Sequence, residues 1–298
     1  MPTTLRTEGA AGVRHIVLCR PEAYNTITPA LRDELPAAVA EADADPEVRV
    51  VLLRAEGPAF CAGYGLDWST EASGRAESPP EGAAPWSPQA RSGRPRVWDS
   101  VADHRLMSGF VDAYLSLWYA RKPVIAAVQG WCIGGGTDLV LCADLIVAGE
   151  GARFGYPPSR VWGTPTTAMW VYRMGVEKAK RYLLTGDEIP APEAQAIGLI
   201  LEAVPDAELE AHATALAERM ARVPTSQLVM LKLLCNQTLE NMGFASSRTL
   251  GTLFDGIARH TQEGLDFVGR AEQVGFREAV RERDDPFGDY GSRPRGRR

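Results

Sequence analysis

Apolar positions along this chain follow two rhythms. The runs His15-Ile16-Val17-Leu18-Cys19 and Val48-Arg49-Val50-Val51-Leu52-Leu53 are short and β-prone, as strands are. Between them, residues 30–44 space their apolar side chains three and four apart, as an amphipathic helix does. The alternation returns further on, where strands predicted at 124–128 and 145–148 enclose a helical stretch at 138–142. Strands alternating with helices predict an α/β core. From 69 to about 98 the composition turns to Gly, Pro, Ser, Ala and charge, and Pro79-Pro80, Pro85, Pro88 and Pro95 break any regular element. That stretch reads as a long loop or insertion, and loops of such length are usually functional or mobile. A helix is expected over 101–120, leading into Lys122-Pro123. After Pro205 only helices are expected, at 207–222, 226–242 and 250–268. The chain thus divides into a core (1–205, with the insertion at about 69–98), a helical region (206–285) and a tail (286–298), with no internal repeat.

Composition alters this picture only at its edges. In 298 residues, 45% hydrophobic and 23% charged side chains suffice for one large domain or two closely packed ones. A net charge of −6 argues against a chain built to coat nucleic acid or an anionic membrane. The exception, Arg293-Pro294-Arg295-Gly296-Arg297-Arg298, has nothing to bury and is expected to be a disordered, solvated basic tail. Five cysteines without a C-x-x-C pair suggest neither a zinc site nor a disulfide framework, so reduced thiols and a cytoplasmic location are expected. Neither a signal peptide at residues 1–12 nor an apolar run of membrane-spanning length is legible.

The chain has no phosphate loop of the form G-x-x-x-x-G-K-[ST], no G-x-S-x-G elbow and no H-E-x-x-H, and its four histidines are far apart, which removes the common nucleotide, serine and zinc hydrolases. Two glycine-bearing segments remain. Pro58-Ala59-Phe60-Cys61-Ala62-Gly63-Tyr64-Gly65-Leu66-Asp67 follows directly on a β-run, so its small residues let the backbone approach a ligand. In Lys122-Pro123-Val124-Ile125-Ala126-Ala127-Val128-Gln129-Gly130-Trp131-Cys132-Ile133-Gly134-Gly135-Gly136-Thr137-Asp138-Leu139, a buried strand leads through three glycines into a helix start. N–H groups there can receive an oxygen that becomes negative, which would make an oxyanion hole with an acid one turn into the helix. Either segment by itself is also compatible with a tight turn whose glycines serve packing, with Asp138 complementing the helix dipole.

Together and in this order, the two segments resemble the F-C-A-G-A-D-L and K-P-x-I-A-A-V-x-G…G-G-G-x-E-L signatures of the crotonase (enoyl-CoA hydratase/isomerase) superfamily. Ala152-Arg153-Phe154-Gly155-Tyr156-Pro157 is similar to the family's A-x-F-G-x-P-E. The stretch from Ala179 through Thr185-Gly186 to Glu193-Ala194 and Gly198-Leu199-Ile200 is similar to A-x-x-L-L-L-T-G…E-A-x-x-x-G-L-V. The resemblance runs from about Arg14 to Pro205. It implies a ClpP-like spiral of repeated β-β-α turns and a C-terminal helical trimerisation region, giving a homotrimer or dimer of trimers. It also implies an acyl-CoA substrate, with coenzyme A as part of that substrate and no separate cofactor or metal. By position, the Tyr64 and Gly135 N–H groups would bind the thioester oxygen, with Gly134 beside them. Ala23 and Ala62, Gly63, Gly65 and Leu66 would line the CoA path, and Asp138, standing where a hydratase has its first catalytic glutamate, would be the acid/base.

Departures from the pattern are as informative. The second hydratase glutamate falls on Pro158, whereas two carboxylates together hold the water and exchange protons. Asp138 is one methylene shorter than glutamate, retracting its carboxylate by about 1.5 Å. Tyr64-Gly65 replaces Ala-Asp and sets a ring beside the first oxyanion donor. Further candidates are His104 as a base, Tyr156 and Ser159 beside the lost glutamate, and Trp162 near the acyl group. Each also suits a packing or surface role, as Asp67 suits a cap. Hydration or isomerisation of an enoyl-CoA is the first reading. Thioester or β-diketone hydrolysis, C–C cleavage and non-catalytic acyl-CoA binding are alternatives raised by the loss at Pro158.

Overall fold

The computed structural model describes residues 4–10, 12–65 and 99–291. Leu66, Asp67, the 69–98 insertion and the 293–298 basic run lie outside the described residues. Among the described residues, ten strands form two sheets. The larger takes β1 (Leu5–Ala10), β2 (Val13–Leu18), β3 (Val50–Ala55), β5 (Val124–Val128), β7 (Leu145–Gly149) and β10 (Glu202–Val204) in that order. Only the β1–β2 pair in it is antiparallel. The smaller sheet runs β4 (Ala59–Cys61), β6 (Trp131–Ile133), β8 (Arg153–Gly155), β9 (Ile189–Pro190).

Each of β3, β5 and β7 hands the chain to the next strand in sequence, in the other sheet. Each hand-over shifts one place along, so β4, β6 and β8 line up in parallel beside one another. This is the spiral of β-β-α turns. The continuous apolar character of the long strands follows from burial on both faces. With side chains alternating, Val51, Leu53, Ala126, Val128 and Ile146 join one core. Val50, Leu52, Ile125, Ala127 and Val147 join the other. The second core is closed by the Leu209–Ala221 helix, which lays Leu209, Ala213, Ala217 and Ala221 on the sheet; the small residues let it sit close.

The helical C-terminal third differs from the sequence expectation at three places. The helix expected over 250–268 is two, Phe244–Arg259 and Gln262–Val274, because Thr261 accepts the Gly264 N–H at 3.2 Å and caps a new helix there. A further helix, Phe276–Asp284, follows Gly275 at φ 84°. The chain also stays docked beyond the expected tail boundary at 286. Asp289 pairs with the buried Arg160 at 2.7 Å, and the Tyr290 hydroxyl donates to the Gly186 carbonyl at 2.9 Å.

Candidate active site

Where β4 and β6 end side by side, the backbone turns sharply, with Gly63 at φ 89° and Gly134 at φ 57°. The Gly135–Val140 helix starts immediately, and its first turn lies flat against β4: a Cβ on Gly136 would sit 2.3 Å from the Cys61 carbonyl oxygen. A Cβ on Gly63 would be 3.7 Å from the Gly135 nitrogen. The Thr137 and Asp138 N–H groups donate to the Gly134 carbonyl at 2.9 and 3.2 Å, whereas the Gly135 N–H, at the first helical position, has no carbonyl four residues back within the helix.

The loop bearing Tyr64 is held from the other side. Ile27 N–H donates to the Gly63 carbonyl at 2.8 Å and Gly65 N–H donates to the Ile27 carbonyl at 2.9 Å. Asn25, buried and at φ 51°, fixes that partner segment by accepting from Arg20 N–H and donating to the Glu56 and Ala59 carbonyls, all at 2.8 Å. Sequence reasoning missed Asn25; its signal is only that asparagine tolerates positive φ. The Tyr64 ring does not stand in the open space. It folds across Gly135, where a Cβ would meet its Cε2 at 2.7 Å. Its phenol accepts from the Tyr114 hydroxyl at 2.7 Å and its edge meets Phe110.

A cavity of about 550 Å³ opens beside these glycines. Ala23, Ala62, Gly63, Tyr64, Gly65, Gly134, Gly135, Tyr156, Pro158 and Trp162 all line it, so most of the residues singled out in the sequence meet there. Tyr156 is fixed by its hydroxyl donating to the Thr164 carbonyl at 2.8 Å, and Trp162 packs on Phe267 with the two rings tilted by 44°. Three of the residues singled out stay off this wall. His104 is half-buried on the Ser100–Tyr119 helix, one residue out of phase with the inward row Asp103, Met107, Phe110 and Tyr114. Ser159 spends its hydroxyl on the Tyr156 carbonyl at 2.9 Å.

Asp138, expected to be the catalytic acid/base, is fully buried and also off the cavity wall. Its Oδ2 accepts from the Thr166 N–H at 2.7 Å and the Thr166 hydroxyl at 2.8 Å, while the Trp170 Nε1–H lies 3.4 Å from Oδ1. The short side chain is retracted behind the wall and its acceptors are engaged there. Burial pushes its pKa up to about 7, against the downward pull of these donors.

The cavity wall carries five charged groups absent from the sequence reading: Glu22, Arg277 and Arg283, and the pair Asp255 and Arg259 brought in by the Phe244–Arg259 helix. Arg259 pairs with Asp255 and, at 2.7 Å, with Asp103; all three are buried. Burial raises the Asp255 pKa, opposed by Arg259. The four-residue step from 255 to 259 was visible in the sequence. Its link to Asp103 was not, since only the packing of two distant helices makes it. Among the described residues, no group of three or more His, Cys, Asp or Glu side chains is placed to hold a metal ion.

The profile of the enoyl-CoA hydratase/isomerase family matches residues 8–86 and 99–273. A crystal structure described as enoyl-CoA hydratase from Mycobacterium smegmatis is 43% identical and superposes with a TM-score of 0.88, covering 99% of this chain and 97% of that one. An enoyl-CoA hydratase/isomerase from Xanthobacter autotrophicus Py2 is 27% identical with a TM-score of 0.82, covering 96% and 99%. EchA13 of Mycobacterium tuberculosis is 34% identical over 241 residues, 78% of this chain and 72% of that protein. The chain belongs to the enoyl-CoA hydratase/isomerase family, and it is an enzyme of that type with the family's fold.

Proposed function

We propose that this protein adds water across the C2=C3 bond of a 2-enoyl-CoA, with the thioester oxygen received by the Tyr64 and Gly135 N–H groups. The observation that supports this best is the abutment of Gly63 on Gly135 at the mouth of a cavity whose volume suits an acyl group. As C3 takes up the water oxygen, the double-bond electrons move onto the thioester oxygen. Two preorganised donors stabilise that charge without reorganising. Ala23, Ala62, Gly63 and Gly65 border the pantetheine path, and Met107, Tyr156, Trp162 and Phe276 give the acyl chain an apolar wall. Asp138, tied to Thr166 and Trp170, acts as a positioning residue: it fixes the helix that presents Gly135.

Wild-type protein incubated with crotonyl-CoA is expected to yield 3-hydroxybutyryl-CoA, with loss of the conjugated thioester absorbance. Binding without turnover would contradict the reading. The setting we assign is cytoplasmic, in acyl-chain metabolism, with coenzyme A entering only as part of the substrate. No helix among the described residues is long and apolar enough to cross a membrane.

The working unit in this proposal is a homotrimer or a dimer of trimers. Met230, Leu231, Leu233 and Leu234 on one helix and Leu250, Leu253, Phe254 and Ile257 on the next are 42–67% exposed, more apolar surface than a soluble monomer ordinarily leaves in one place. Sedimentation at micromolar concentration should give three or six times the chain mass; a single-chain mass would contradict the assignment.

A further inference from the structure

We infer that Asp255, a residue of the C-terminal helical region, is the acid/base of this site and occupies the corner left vacant by Pro158. This rests on the hydratase reading above. Pro158 Cβ and Asp255 Oδ1 lie 2.9 and 3.6 Å from the point where a side chain on Gly163 would begin, so the aspartate reaches the same corner from another helix. Asp255 lines the cavity, whereas Asp138 does not. Its second oxygen is held by Arg259, which Asp103 anchors from the Ser100–Tyr119 helix at 2.7 Å. Two carboxylates share one guanidinium, so the cluster does not present a net cation that would attract an anionic acyl group.

The step balances with one carboxylate. Asp255 takes a proton from water as the water oxygen bonds to C3. The C2=C3 electron pair shifts to the thioester as an enolate, and the protonated Asp255 then returns a proton to C2 as the carbonyl re-forms. Burial and the Asp103 charge both raise the Asp255 pKa, against Arg259 and a Thr164 N–H that lower it, which favours a base that holds a proton readily. Tyr64, Tyr156 and Asp138 face it from the other packed elements, and Glu22, Tyr24, Arg277 and Arg283 complete the ionisable lining of the cavity.

Crotonyl-CoA hydration tests the assignment in three variants. Asp255→Asn should lower kcat by about 10²-fold or more while KM stays within about threefold. Adding Pro158→Glu to that variant should recover about tenfold, because a carboxylate returns to the corner. Asp103→Asn should move the acidic limb of the pH–rate profile to lower pH, because it removes a charge that holds the Asp255 proton. That shift remains readable even if Asp255→Asn fails to fold. Wild-type turnover with Asp255→Asn retaining more than about a third of kcat, or an unmoved limb in Asp103→Asn, overturns the Asp255 assignment alone. Wild-type protein that leaves the thioester unchanged overturns the hydratase reading together with it.

Discussion

Replacing Gly136 with alanine is expected to lower kcat for enoyl-CoA hydration by about 10²–10³-fold, the usual cost of displacing one oxyanion donor. The new methyl would begin 2.3 Å from the Cys61 carbonyl oxygen and 3.0 Å from its carbon, both backbone atoms that cannot swing aside. The end of β4 must therefore move away from the helix start, which separates the Tyr64 and Gly135 N–H groups. Because in the proposed reaction these groups act most strongly on charge that develops in the transition state, kcat should fall more than KM rises. Gly109→Ala is the matched control. It lies in the Ser100–Tyr119 helix, where its Cβ would meet only the Arg32 side chain at 3.5 Å. Activity there should stay within about twofold of wild type. Equal kcat in wild type and Gly136→Ala would show that the two strand ends need not abut for turnover.

The second large effect is on stability, at Asp138. Its folded-state pKa of about 7 lies above the unfolded value of about 3.9. Between these values the unfolded chain has lost the proton that the folded protein keeps, so this residue makes stability fall as pH rises. Below pH 4 both states are protonated and above pH 7 both are ionised, so the slope vanishes at each end. Asp138→Asn removes the ionisation, while its amide oxygen can still accept from both Thr166 donors. Relative to wild type, the variant should gain up to about 4 kcal/mol between pH 4 and pH 8. Urea unfolding across that range reads the difference directly. Stability curves that run parallel would mean that Asp138 is not a buried, proton-holding group.

Much of this site was legible in the sequence because glycine reports backbone geometry. Gly63, Gly134, Gly135 and Gly136 stand where φ is positive or where a side chain would strike a neighbouring strand or ring, and such needs leave few alternatives in residue type. The long strands were legible too, as apolar runs. The second sheet was missed because strands such as Ala59–Cys61 and Arg153–Gly155 are three residues long and too short to show a period. His104 sits one residue out of phase with the inward face of its helix, which Asp103 occupies. The row 103, 107, 110, 114 carries three apolar or aromatic residues, and that alone would have placed residue 103 inward. Asp255 was beyond local reading, since its meaning depends on Arg259 meeting a residue 156 positions away. The retraction of Asp138 was anticipated from its missing methylene, but its capture by Thr166 was not, because that contact closes over 28 residues that pass through both sheets.

The central claim is that the thioester oxygen sits between the Tyr64 and Gly135 N–H groups, and the carbonyl stretch of a bound, ¹³C-labelled enoyl-CoA tests it most directly. Two aligned donors in a buried site polarise the carbonyl more than water does. The isotope-edited infrared band of the thioester bound to wild type should therefore lie at lower frequency than the same band in water, and should return toward the aqueous position in Gly136→Ala. A bound thioester whose carbonyl band stays at its aqueous frequency, or moves above it, would contradict the claim.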